Sequence, residues 1–142
     1  MVRFKNRYLV MELIWKDGKI DYSLDTGHVQ TVLRASLEEN YGAVALGLAL
    51  TSLQVKYFDA TTNLLIIRCN RSQVEQVWCS ATLITQIDNR TVMARLVHLA
   101  GTLRCCQEAA VSFHRAASER LPPSLRHRAD PNAEAAIMAL SR

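Results

Sequence analysis

No stretch of this 142-residue chain is apolar for long enough to cross a bilayer. The longest clean apolar run, Ala43 to Leu50, falls far short of the ~20 residues a membrane-spanning helix needs. Glycine and proline are few, five and three residues, and no internal repeat or low-complexity tract appears. The four cysteines, at 69, 79, 105 and 106, include no Cys-x-x-Cys pair, and His28, His98, His114 and His127 supply no short Cys/His spacing. Zinc sites need such pairing, so no metal site is expected. Glu12 interrupts the first apolar stretch and no small-residue cleavage site follows, so residues 1–15 do not read as a signal peptide. The cysteines are then expected to be reduced, small core residues of an intracellular protein.

Catalytic signatures are missing as well. There is no G-x-S-x-G, no glycine-rich phosphate loop and no pair of histidines at helical spacing. Cys69 and His98 are a pair that neighbouring strands would bring together, and they are read as core-edge residues rather than a nucleophile and its base. Glu38-Glu39 reads as solvated helix surface. An autonomous enzyme is not expected.

What is present is a globular composition, 49% hydrophobic and 21% charged, long enough for one domain with its own core. Residues 1–120 are expected to form that domain and 121–142 a tail. Seventeen Lys and Arg against thirteen Asp and Glu leave a net charge of +4. Position says more than the total. Arg3, Lys5 and Arg7 all precede the first acid, Glu12, and their period of two places them on one face of an extended chain.

Hydrophobic patterning gives an alternating order of elements. Tyr8–Trp15 reads as a buried strand, closed by the turn Lys16-Asp17-Gly18-Lys19. Val29, Val32, Leu33, Ser36, Leu37 and Tyr41 recur at helical spacing, with Gly42 as the stop. Ala43–Leu50 suits a short helix or a tight loop. Leu53–Phe58 and Leu64–Cys69 read as an antiparallel hairpin across residues 59–63. Ser72-Gln73-Val74-Glu75 has the form of a capping box for a helix through Val74, Val77, Trp78, Ala81 and Ile84, running to about Ile87. Thr91–Ala100 is β-rich. Gly101-Thr102 leads into a third helix with Leu103, Cys106, Ala110, Phe113 and Ala117 inward. Past Arg120 the pattern decays through prolines toward a short helix, Ala133–Leu140.

This order predicts an α+β, ferredoxin-like (split βαβ) sandwich. Its four-stranded antiparallel sheet would carry two helices on one face, plus an extra C-terminal helix. Several small domains with this order are regulatory or dimerisation modules that use the open sheet face, and that is the alternative reading. A hydrolase of the acylphosphatase type would need an active-site Arg and Asn that cannot be placed here. The same order is shared with the RNA-recognition motif, whose central strands carry stacking aromatics. Aromatics are only 6% of this chain, and Asn63–Cys69 has none, so stacking of that type is disfavoured. Tyr8 and Phe58 are the candidate platforms. Arg3, Lys5, Arg7, Lys56, Arg68, Arg71, Arg95 and Arg104 fit phosphate contact better, because such side chains position a protein on RNA without reading its sequence.

Longer stretches then agree with one family. Met1-Val2-Arg3-Phe4-Lys5-Asn6-Arg7-Tyr8-Leu9 followed by Glu12 resembles the opening of the Pop-five family, the small protein subunit shared by ribonuclease P and RNase MRP. Gln54-Val55-Lys56-Tyr57 leading into Leu65-Ile66-Ile67-Arg68-Cys69 resembles its hairpin, and Val77-Trp78 with Ala81-Thr82-Leu83-Ile84 its central helix. Gly101-Thr102-Leu103-Arg104 with Cys106-Gln107 resembles the start of its last helix. The likeness runs over residues 1–115 and lacks the acidic tail of many members.

The resemblance implies a ferredoxin-like fold and a non-catalytic role in an RNA-based endoribonuclease. The RNA subunit would hold the catalytic Mg2+ and cleave precursor tRNA at the 5′ end or process precursor rRNA, and the protein would bind no cofactor itself. Partners so implied are ribonuclease P RNA, MRP RNA, an Rpp-thirty-type TIM-barrel-like subunit and the largest Pop subunit. Precursor tRNA would be met indirectly, in the nucleus and nucleolus, with no membrane partner. Carried over by position, Arg3, Lys5, Arg7, Tyr8, Lys56, Arg68, Arg71 and Arg104 are the expected RNA contacts.

Overall fold

The alternation of apolar residues in the first strand sets the architecture. In the computed structural model, which describes residues 5–126 and 131–141, β1 covers Asn6–Trp15. Its odd positions Leu9, Met11, Leu13 and Trp15 enter one hydrophobic cluster, and its even positions Tyr8 and Val10 enter another. A strand buried on both sides must be central, and β1 is. It pairs antiparallel with β3 (Leu64–Asn70) on one side and with β5 (Arg90–Ala100) on the other. β2 (Gln54–Asp59) adds to β3, and β4 (Gln86–Ile87) to the start of β5. The sheet therefore has five strands in the order β2-β3-β1-β5-β4, not the four expected.

The extra strand comes from a helix that stops early. α3 spans Val74–Thr82 and does not reach Ile87. Asp88 and Asn89 both sit at positive φ, 52° and 64°, the geometry of a tight hairpin turn, so Gln86–Ile87 folds back on Arg90–Thr91. The start of α3 also differs from the capping box. Residues 71–73 form a 3-10 turn capped by Asn70, whose Oδ1 accepts from the Ser72 amide at 3.1 Å, and α3 carries no side-chain cap.

α1 (Thr26–Tyr41) and α3 lie against the first cluster, and Ala43–Ala49 is a short helix, α2. Asp25 caps α1 by accepting from the His28 amide at 2.8 Å. The Ser36 hydroxyl donates to the Ser80 carbonyl at 2.7 Å, tying α1 to α3 inside the layer. α4 (Leu103–Arg120) covers the second sheet face with Cys106 and Ala110. That is the face the element order left open. The short α5 (Pro123–Arg126) and α6 (Ala133–Met138) follow.

Of the five inward positions expected on α4, Cys106 and Ala110 are buried and Leu103, Phe113 and Ala117 half-buried. Two polar residues outside that set, Gln107 and His114, are buried as well. His114 lies 3.8 Å from an Asp59 carboxylate oxygen, with the Thr62 and Ser118 hydroxyls each 3.4 Å from its ring nitrogens. Gln107 Nε2 donates to the carbonyls of Ile137, Met138 and Leu140 at 3.1–3.3 Å, closing the end of α6. Arg115 adds a two-pronged bond to Glu134. Gln107→Leu removes the donor from three carbonyls and is expected to cost about 1–3 kcal/mol. Limited proteolysis should then cut within 133–140 before the rest of the chain.

At the other end of the sheet, Arg90 stacks 4.3 Å over the Trp15 ring and reaches Asp17 at 2.7 Å. The Arg90 hydrogen bond, and then the Lys19 amide, lower the Asp17 carboxyl from 3.8 to about 2. A depressed carboxylate contributes stability above its unfolded value, lost as pH falls through the folded one. Arg90→Ala is expected to return Asp17 toward 3.8 in an NMR titration.

Candidate nucleic-acid interface

β1 starts where β3 ends and where β2 begins, because both pairings are antiparallel. Asn6 sits opposite Asn70, Arg7 opposite Cys69, Tyr8 opposite Arg68, and Arg68 opposite Gln54. Just beyond, the Arg71 amide donates to the Lys5 carbonyl at 2.9 Å. The ladder thus collects Lys5, Arg7, Arg68 and Arg71 at one end of the sheet, with Lys56 at the irregularity between Val55 and Tyr57. Residues distant in sequence become one basic end. Arg3 lies outside the described residues.

Ser52 shapes part of this end. Its carbonyl accepts from Arg68 Nε at 3.2 Å, and its hydroxyl from the Asn70 amide at 3.0 Å. Nothing in the sequence marks Ser52, whose role depends on two partners sixteen and eighteen residues away. Burial, and then the Arg68 charge, hold the Lys56 ammonium below the usual lysine range. Two like charges held together without an acid raise the local potential for an anion.

Four other arginines meet carboxylates, while Lys16, Lys19, Arg34, Arg120 and Arg126, away from this end, do not among the described residues. Arg90 meets Asp17 and Asp21, Arg95 meets Glu12 at 3.3 Å, Arg115 meets Glu134, and Arg104 meets Glu108 at 3.1 Å. Lys5, Arg7, Lys56, Arg68 and Arg71 form no ion pair with a carboxylate among the described residues. Arg104 stands at the right end, exposed, with its charge partly spent on Glu108.

Tyr8 does not fit as a stacking platform. It is 3% exposed and lies in the second cluster, because its even position in β1 points under α4. Phe58 packs against the first cluster. The surface is one of charge rather than of rings. A hollow of about 400 Å³ opens beside it, lined by Lys5, Asn6, Arg7, Tyr8, Gly101, Thr102 and Leu103. Thr102 caps α4 there by accepting from the Cys105 amide at 3.2 Å. The Arg7 guanidinium lies beside Gly101, with its Cζ 3.9 Å from where a Cβ would stand, an ordinary contact distance. A helix start with a positive dipole end and two bases beside it suits a phosphate.

The other sequence candidates resolve simply. Cys69 is on β3 and His98 on β5, with β1 between them, so they are not on neighbouring strands. Burial pushes the Cys69 and Cys106 thiols up to about 12, as befits inert core residues. Cys79 is half-buried and Cys105 exposed, so the core reading holds for two of the four. Among the described residues no group of three or more His, Cys, Asp and Glu side chains is placed to hold a metal ion.

Residues 7–111 match the model of the Rpp14/Pop5 family. This chain belongs to that family. The matched stretch includes Arg7, Lys56, Arg68, Arg71 and Arg104, and begins just after Lys5. Among Pop5-type relatives, the Schizosaccharomyces pombe protein named ribonuclease P/MRP protein subunit POP5 is 33% identical over 120 residues. That alignment spans 78% of this chain and 86% of the relative. A probable POP5 subunit of Arabidopsis thaliana is 33% identical over 131 residues, 88% of this chain and 87% of its own. A chain in the cryo-EM structure of yeast ribonuclease MRP superposes with a TM-score of 0.56 at 13% identity, over 84% of this chain and 93% of that one. At that identity the likeness is one of fold.

Proposed function

We propose that this chain is a Pop5-type protein subunit of a ribonuclease P/MRP ribonucleoprotein, and that its basic sheet end grips phosphates of the RNA. The observation that carries the reading is the convergence of Lys5, Arg7, Lys56, Arg68 and Arg71, free of carboxylate partners among the described residues, on a chain of this family. The β2-β3-β1-β5 order supports a ferredoxin-like core with β4 as an added edge. In this reading residues 1–120 are the RNA- and protein-binding domain and 121–142 its tail. The protein stabilises the folded catalytic RNA, and the RNA holds Mg2+ and cleaves the phosphodiester. The chain itself contributes charge and shape, not a reacting group. An Rpp-thirty-type subunit and the largest Pop subunit are its proposed protein neighbours, in the nucleus and nucleolus. Maturation of precursor tRNA and processing of precursor rRNA are the proposed outcomes.

Tagged purification from the native cell, with sequencing of bound RNA and identification of bound proteins, tests this. Enrichment of ribonuclease P and MRP RNAs over a mock sample is the expected result. Protein partners with no enriched RNA would overturn the reading in favour of a protein-interaction module.

A further inference from the structure

β5 is eleven residues long, and β4 covers only its first two. The Thr91 carbonyl accepts from the Lys16 amide, so Thr91, Met93 and Arg95 turn their backbone groups toward β1. By the period of two, Val92, Ala94 and Leu96 turn theirs outward. The Val92 amide meets the Thr85 carbonyl at 2.9 Å. Among the described residues, nothing hydrogen-bonds the outward amides and carbonyls of Ala94 and Leu96.

The opposite edge is defended and this one is not. On β2, Gln30 Oε1 accepts from the Val55 amide, Lys56 sits in the strand, and the register shifts beside it. Charge and irregularity of this kind are how natural edges resist pairing. From Met93 to Leu99 the β5 edge holds neither lysine nor proline, and Arg95 is drawn back to Glu12 on β1. The bulge in the pairing with β1 falls beyond Leu96, so Val92–Leu96 stays regular. Apolar side chains are exposed on both faces beside the edge: Met93 (53%) and Ile14 (37%) on one, Leu99 (39%) on the other.

We propose that the outer edge of β5 is a strand-docking site that takes an extended segment of a partner protein, with apolar side chains at alternate positions. Alternating donors and acceptors along a backbone are matched by another backbone, and the flanking apolar side chains give no foothold for phosphate. β4 already fills the first two positions in this manner, and the incoming strand continues from it. This surface lies one strand beyond β1, away from the β2–β3 cations, and does not rest on the RNA reading.

Residue-resolved hydrogen exchange at Ala94 and Leu96 tests it, comparing the isolated full chain with the tagged assembly purified from the native cell. The outward Ala94 and Leu96 amides should exchange fast in the isolated chain at all concentrations and slow by roughly 100-fold in the assembly, while the Met93 and Arg95 amides, already bonded to β1, are slow in both. Ala94→Pro removes an outward amide without touching the β1 ladder and should retain about tenfold less of the partner protein. A Met93→Lys, Leu99→Lys double variant keeps every backbone amide and should give the same loss, which covers the case in which the proline variant fails to fold. Equal exchange in both samples would overturn the proposal. So would protection of the isolated chain that grows with concentration, which would mean a second copy. Protection that disappears on nuclease treatment, with all proteins retained, would also overturn it.

Discussion

Alanine at Lys5, Arg7, Lys56, Arg68 and Arg71 together is expected to weaken binding to the ribonucleoprotein RNA by on the order of 100-fold or more at low salt. The slope of log affinity against log salt should flatten by about 0.7–0.9 for each phosphate no longer gripped. Filter binding across a salt series reads both. The geometry also sets the control. Arg95 and Arg115 are already held by Glu12 and Glu134, so their double alanine variant should bind RNA within about twofold of the parent. If the two variants weaken RNA binding equally, affinity follows total charge, and the sheet end has no special role. Among these five, Arg68 gives up its bond to the Ser52 carbonyl, worth about 0.5–1.5 kcal/mol, so the multiple variant should melt several degrees below the parent and still fold.

Leu9→Ala is expected to be the most damaging of the single apolar truncations in β1, at about 2–5 kcal/mol. Leu9 is fully buried, lies opposite Ile67 on β3 and Leu99 on β5, and faces the cluster shared with α1 and α3. Neighbouring strands on both sides prevent the backbone from collapsing into the cavity. Domains of this size hold together by about 5–15 kcal/mol in total, so the loss should show as a large drop in the urea midpoint. Ile14→Ala, on the same strand but 37% exposed, should cost less than about 1 kcal/mol. Equal losses from the two would contradict the burial of Leu9 in the first cluster.

Strands and helices whose faces follow one period are legible in the amino-acid order alone. The alternation of β1, the stripe Val29-Leu33-Ser36-Leu37 of α1 and the hairpin of β2 with β3 need only local spacing. β4 escapes such a reading for a physical reason. Ala81, Ile84 and Ile87 keep helical spacing through the segment, and the positive φ of Asp88 and Asn89 decides instead for a hairpin. Asp88-Asn89 directly after the apolar Ile87 is a usable signal for that turn. The buried Gln107 and His114 are not legible, since their partners come from residues 137–140 and 59–62. Of the site, the basic positions can be named from sequence, but not every one that carries an acid. Arg104 with Glu108 is an i,i+4 pair that a helix there makes legible, but Arg95 with Glu12, 83 residues apart, is set only by folding. Tyr8 has the position of an RNA contact, but the pleat turns it inward.

The placement of β1 between β3 and β5 has a consequence for how the chain acquires its structure. Tyr8 must find Arg68 on one side and Ala100 on the other. Both closures join residues far apart along the chain, and such distant pairings make for slow folding. During synthesis the first strand leaves the ribosome long before β5 exists to cover its second edge. Until Ala100 has emerged, β1 presents apolar residues and unpaired amides to whatever is near. A nascent chain stopped shortly before Ala100 should therefore bind chaperones and resist release, and one extended past Arg120 should not.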